Sequence, residues 1–306
     1  MMDIVGKRLW FFLISAVILI PGLISLAIFR LEPGVDFSSG TAMTLRFATE
    51  IDQSQLRGKM ASLGYGEAMI QRTGEGDFLV RVKAISPETR EELVNGLKAG
   101  LNTEITVRDS YTVSPVIATK IGRDAAIAVA VASVLMMLYI AWAFRRMPRP
   151  FRWGAVAVIA LAHDVLVVMG VFSILGWSAG VQIDAMFITG MLAVVGYSVN
   201  NIVVVFDRIR ENVSKGISRD FEDTVNSSIL ETMGRCINTS LTTLFVILAM
   251  FLLGGVTIRY FILVLLIGVV AGTYNSICLA GQLLVVWDKR DWGRLFPQKK
   301  QIETST

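Results

Sequence analysis

The chain has 306 residues, 54% of them hydrophobic and only 18% charged, with a mean hydropathy of +0.60 and a formal net charge of +4. So apolar a composition excludes an ordinary soluble domain and implies surface that faces lipid. The basic excess sits in short loops beside apolar runs and has no interleaved aromatic residues, which favours membrane orientation and argues against nucleic acid as a partner.

An apolar run over 9–29 follows Lys7 and Arg8 and is long enough to cross a bilayer core. Ser25-Leu26-Ala27 offers a small-x-small cleavage site, yet the run exceeds a signal core, so it reads as an uncleaved anchor. From residue 30 to about residue 120 the chain turns polar and alternating. Residues 44–48 predict a strand, and 52–64 a helix with Asp52 as N-cap and Leu56, Met60 and Leu63 on one face. Residues 68–71 and 78–82 predict two strands around a turn at Gly74-Glu75-Gly76. Ser86-Pro87-Glu88 opens a second helix with Leu93 and Leu97 on its inner face, and 104–107 begins a last strand. The order β-α-β-β-α-β is the split pattern of a ferredoxin-like sandwich. At about 80 residues such a domain can carry its own core, and it contains no cysteine.

Five more apolar segments follow, over 125–144, 153–175, 183–206, 237–253 and 261–287. No barrel-type alternation is present, so they read as helices. The expected fold is a membrane all-α six-helix bundle with an inserted α+β ferredoxin-like extracytoplasmic domain. Its expected divisions are 1–29 (tail and first span), 30–122 (outer domain), 123–288 (spans two to six) and 289–306 (tail). Lys7 and Arg8, then Arg145, Arg146, Arg149 and Arg152, then Arg208, Arg210, Lys215 and Arg219, then Lys289, Arg290, Arg294, Lys299 and Lys300 all fall on one side of six helices. The loops over 176–182 and 254–257 carry no Lys or Arg. By the positive-inside rule both termini are cytoplasmic and the folded domain is outside.

The spans are not uniformly apolar. Asp164 lies near the middle of the third beside His163, the only histidine. An intramembrane acid is a functional candidate by default, here for proton exchange, with a structural carboxylate joining two helices as the alternative. In the fourth span Tyr197, Asn200, Asn201 and Val204 share one face by spacing. The fifth carries Arg235, Asn238, Thr239, Thr242 and Thr243; Arg235 either snorkels to the interface or balances Asp164 or a partner's acid. Gly268, Gly272, Ser276 and Ala280 recur every four residues in the last span and form a packing stripe, inside the chain or against another subunit. Cys236 and Cys278 have no metal-ligand neighbours and read as small buried residues. There is no Walker motif, no HExxH and no nucleophile near a histidine, so neither an enzyme nor a cofactor or metal site is expected.

Four runs then become specific. They are Gly34-Val35-Asp36-Phe37-Ser38-Ser39-Gly40, Ala162-His163-Asp164-Val165, Gly196 to Asn201 leading into Asp207-Arg208-Ile209-Arg210-Glu211-Asn212, and Arg235 with Asn238 to Thr243. Together they span most of the chain and resemble the signatures of the SecF family of the RND superfamily. The resemblance implies an RND-type bundle that pairs with SecD and joins the SecYEG channel, often with YajC and YidC. It implies use of the proton-motive force to draw exported, unfolded polypeptide out of the channel in late steps of export. It also implies a motif role for Asp36, Phe37, Gly40, Gly196, Tyr197, Asp207, Arg208 and Arg210, and a proton relay drawn from His163, Asp164, Asn200, Asn201 and Arg235. Two positions depart from the family pattern: Ser39 replaces a usual Gly, and Asn201 replaces the usual fourth-span Asp. An amide does not exchange a proton near neutral pH. The rival readings are a stand-alone RND-type transporter and a non-conducting scaffold, the latter favoured by Asn201.

Overall fold

The computed structural model describes residues 3–72, 76–255 and 258–289. Gly74 and Glu75 of the expected turn, Val256 and Thr257 of the last outer loop, and the basic tail from Arg290 onward lie outside the described residues. Helix α1 (Arg8–Ile28) is followed by one short turn, α2 (Val35–Ser38), which the sequence did not suggest. Then come β1 (Gly40–Phe47), α3 (Gln53–Ser62), β2 (Met69–Arg72), β3 (Phe78–Val82), α4 (Pro87–Leu101) and β4 (Ile105–Val113).

The sheet order is β2-β3-β1-β4, antiparallel throughout, as a split βαβ sandwich requires. Its core joins Met43, Leu45, Phe78 and Val80 from the strands with Leu56, Met60 and Leu97 from the helices, all at 1% exposure or less. Each such side chain contributes about 1.5–3 kcal/mol on burial. Ser86 caps α4 by accepting from Thr89 N, with Pro87 at the first helical position. Asp52 occupies the N-cap position of α3 but caps no helix N–H; its carboxylate takes the Ser54 hydroxyl instead. β1 starts four residues before the expected 44, because Gly40 alone tolerates the entry: its φ is +151°, and a Cβ there would lie 2.7 Å from the Val82 carbonyl oxygen.

Five longer helical segments complete the chain: α5 (Pro115–Ala143), α6 (Pro150–Ala179), α7 (Ala185–Lys215), α8 (Phe221–Leu253) and α9 (Arg259–Asn275). The last runs through a π-helical turn (Ser276–Ala280) into α10 (Gly281–Lys289). Among the described residues, six helices are long and apolar enough to cross a membrane, the last being Arg259–Lys289 as one unit. About half of the apolar window is buried in α6, α7 and Arg259–Lys289, against 11% in α5, so these three form the centre of the bundle. Several helices outrun their apolar stretches. α5 begins at Pro115 rather than 125, because Ser114 accepts from Ile117 N and starts the helix ahead of its apolar stretch. α8 begins at Phe221 rather than 237, because Asp220 accepts from Glu222 N and charged pairs support the polar turns.

The folded domain is stapled to one end of the bundle. Gly34 N donates to Ile183 O (2.8 Å), Ile183 N to Glu32 O (2.9 Å), and Arg81 to Gln182 Oε1 (2.5 Å). At the other end Arg8 and Lys289 meet Glu222, and Arg152 pairs with Asp288. The basic clusters therefore gather away from the domain.

Candidate functional site within the bundle

Small residues let α7 and α9 approach closely. A Cβ on Gly268 would overlap Val194, and one on Gly272 would lie 3.0 Å from Ser198 Oγ. Ser276 is fully buried and returns its hydroxyl to Thr273 O (2.9 Å). The stripe predicted in the last span thus faces α7 of the same chain. This contact brings Ser198 and Asn275 onto Asp164, the fifteenth residue of the thirty in α6.

Asp164 is 1% exposed. Ser198 Oγ donates to its Oδ2 (2.5 Å), Asn275 Nδ2 to its Oδ1 (3.0 Å), and His163 Nδ1 lies 3.3 Å from Oδ1. The same Asn275 amide donates its second proton to the Ala160 carbonyl. Asn275 Oδ1 and His163 Nε2 are buried with no partner. Asn275 immediately precedes the π-helical turn, a feature that often marks functional positions. No arginine or lysine pairs with Asp164 among the described residues. Its carboxyl oxygens are instead met by the Ser198 hydroxyl and the Asn275 amide, so polar side chains of two other spans take the place of a countercharge.

A second polar cluster lies alongside. Ser240 Oγ is reached by Tyr197 OH (3.1 Å), Asn201 Nδ2 (3.3 Å) and Thr273 Oγ1 (2.6 Å). Asn201 is 2% exposed. Asn200, expected on the same face, is exposed and turned away from this cluster, because its one-residue offset rotates it about 100° around the helix. Arg235 does not reach Asp164. It is exposed on α8 and lines a cavity of about 430 Å³ with Asp207, Arg208, Glu211 and Glu231. Arg235 is therefore not a countercharge to Asp164 in this structure.

The remaining motif residues fall into two places. Asp36 Oδ2 accepts from Ala185 N (2.8 Å) at the start of α7, and Phe37 packs beside Gly122 of α5, so this motif ties the domain to two spans. Ser39 has φ 63° and ψ 155°, a region that strains a side chain, which accounts for a glycine preference there. At the opposite end Arg208 pairs with Glu211 and Glu231 (both 2.5 Å) and Asp207 with Arg210 (2.5 Å). Gly196 faces outward with nothing within 4 Å of a Cβ. Sequence reading missed Ser198, Ser240, Thr273 and Asn275 as partners. Asn275, an amide in an apolar span and directly before Ser276 of the small-residue stripe, was the available signal.

Residues 94–290 match the family "Protein export membrane protein SecD/SecF, C-terminal". The chain is 43% identical over 319 aligned residues to the protein translocase subunit SecF of Thermobaculum terrenum, covering 100% of both. It is 40% identical to the SecF of Anaerolinea thermophila, covering 97% of each. The crystal structure of SecDF, a translocon-associated membrane protein from Thermus thermophilus, superposes with a TM-score of 0.84 at 34% identity, over 94% of this chain and 39% of that one. With the family match and full-length identity agreeing, the chain belongs to the SecF family of protein translocase subunits.

Proposed function

We propose that this chain is an accessory subunit of the Sec translocase that pairs with SecD and uses the proton-motive force to promote late steps of export of unfolded polypeptide. The relative from Thermus thermophilus carries the equivalent of this chain in one longer SecDF polypeptide, which supports SecD as the partner. Exposed Asn200, Arg235 and Asn238 on α7 and α8 support the same reading, since polar groups at membrane depth need a neighbour other than lipid. SecYEG, YajC and YidC are the further partners implied by family. The location is the bacterial inner membrane with both termini cytoplasmic, the outer domain over 30–122, spans over 1–29 and 123–288, and a tail over 289–306. The chain is a non-enzyme without cofactor.

The observation that carries the reading is Asp164, a buried mid-span acid held by three polar neighbours. Asp164 is the proton-binding group, His163 its neighbour, and Ser198 and Asn275 hold the carboxylate in place. Asn201 and Ser240 form a polar contact beside it that holds no titratable carboxyl. Arg235 faces the partner. A scaffold role without conduction is the second reading, favoured by Asn201 standing where the family carries an acid.

Asp164→Asn tests it. Ser198 can reverse its hydroxyl to accept from the new amide while Asn275 still donates to the retained oxygen, so the fold should survive. Gradient-dependent stimulation of export in proteoliposomes should disappear while SecD still co-purifies. Unchanged stimulation would leave Asp164 a structural group.

A further inference from the structure

A groove of about 600 Å³ runs between the folded domain and the outer ends of α6, α8 and α9. Three arginines from three elements line it: Arg57 of α3, Arg72 of β2 and Arg259 of α9. Among the described residues lining it there is no aspartate or glutamate. Arg72 is paired with Glu50 on the exposed rim (2.7 Å), whereas Arg57 and Arg259 have no ion-pair partner among the described residues. Arg259 lies 5.4 Å over the Phe251 ring, which holds its guanidinium at the mouth. The opposite wall is apolar: Leu175, Phe251 and Leu263. Beyond Phe251 the exposed Leu252 and Leu253 continue the apolar surface along α8.

Two guanidinium groups without an ion-pair partner among the described residues, Arg57 and Arg259, beside the rim-paired Arg72 and over an apolar wall, match one ligand chemistry, a phosphate diester with hydrocarbon attached. Guanidinium groups bind phosphate oxygens in pairs and remain charged at any relevant pH. The volume lies in the range of small-ligand sites, about 300–1,000 Å³. The placement fits as well: Arg259 and Tyr260 open the last span at its outer end, and basic and aromatic side chains at the ends of spans meet headgroups. We propose that this groove binds an anionic phospholipid of the leaflet on the folded domain's side. Its phosphate sits among Arg57, Arg72 and Arg259, and its chains lie along Leu175, Phe251 and Leu263. The lipid then bridges the folded domain, through α3 and β2, to the bundle. A free phosphate would leave the apolar wall unused, and a neutral lipid would leave Arg57 and Arg259 uncompensated.

The test uses the full-length chain, delipidated in neutral detergent, with binding read by native mass spectrometry. Short-chain phosphatidylglycerol, short-chain phosphatidylcholine and inorganic phosphate are titrated separately and in competition. Phosphatidylglycerol should bind at least about tenfold tighter than phosphatidylcholine, and inorganic phosphate should not displace it. Arg57→Gln and Arg259→Gln should each weaken phosphatidylglycerol about fivefold, the effect of one basic residue near an anionic lipid. Arg146→Gln, at the other end of the bundle, should leave it unchanged. Both groove arginines are exposed, so melting temperatures should match the parent. Equal binding of the two lipids, or insensitivity to both groove substitutions, would overturn the proposal. Displacement by inorganic phosphate would instead mark a free-anion site. Loss of the lipid on adding SecD would also overturn it and mark the groove as a subunit interface.

Discussion

Asn201 offers the sharpest perturbation, because its surroundings show what an acid there would meet. In this chain Asn201 Nδ2 donates to Ser240 Oγ (3.3 Å), Tyr197 OH approaches the same oxygen (3.1 Å), and Thr273 lies 2.6 Å from both Ser240 Oγ and Val269 O. In Asn201→Asp a protonated carboxyl can donate to Ser240 with nothing else changed. An ionised one needs Ser240 to reverse and Thr273 to turn from Val269 O toward Ser240. That forfeits one neutral hydrogen bond, about 1 kcal/mol, and gains one to a charge, about 1.5–3 kcal/mol. Burial of the charge costs several kcal/mol against this. The protonated form is therefore favoured at rest and the ionised form lies a few kcal/mol above it, a gap comparable to what a proton gradient supplies. One charge moved through 100 mV releases about 2.3 kcal/mol, while shifting a two-state element from 1:99 to 99:1 takes about 5.5 kcal/mol. A second proton brings the available energy to about 4.6 kcal/mol. Proteoliposomes containing the chain and SecD, with an imposed gradient and an internal pH dye, should show more proton uptake and more gradient-dependent export for Asn201→Asp than for the parent. Equal flux would put position 201 off the proton path and make its amide a neutral variation.

Ser39→Gly should raise stability by about 1 kcal/mol or more, because φ 63° with ψ 155° is a region essentially reserved for glycine; thermal unfolding in detergent reads it. Asp184, just ahead of α7, has its carboxyl pushed above the usual range by burial, with Asp36 adding repulsion. The folded state thus holds its proton more tightly than the unfolded, so ionised Asp184 costs stability once pH rises above the ordinary carboxylate range. Asp184→Asn, which can still cap Phe187 N, should melt higher than the parent at neutral pH and lose that advantage as pH falls toward the unfolded value. For orientation, in a background with Cys236 and Cys278 replaced, Glu67→Cys should be labelled from outside intact cells and Arg146→Cys should not; the reverse pattern would invert the topology.

Much of this architecture was readable from the chain alone. Six long apolar runs, the loop arginines and the alternation over 40–113 contain the bundle and the sandwich, because burial periodicity and bilayer length act on local sequence. Asp164 was conspicuous for the same reason, a charge where the solvent is hydrocarbon. Its partners were not legible. Helical spacing placed Tyr197, Asn200, Asn201 and Val204 together, yet the packing against α8 and α9 took Tyr197 and Asn201 to Ser240 and left Asn200 outside. Spacing likewise left Arg235 free to be a countercharge, while the fold holds it on the exposed side of α8. Asn275 meets Asp164 across a separation of 111 residues, only because glycines at 268 and 272 let α9 close on α7. A sequence states which residues share a face of one helix. Which face meets which helix, and at what height, depends on close packing summed over the whole bundle, and the tertiary structure alone decides it.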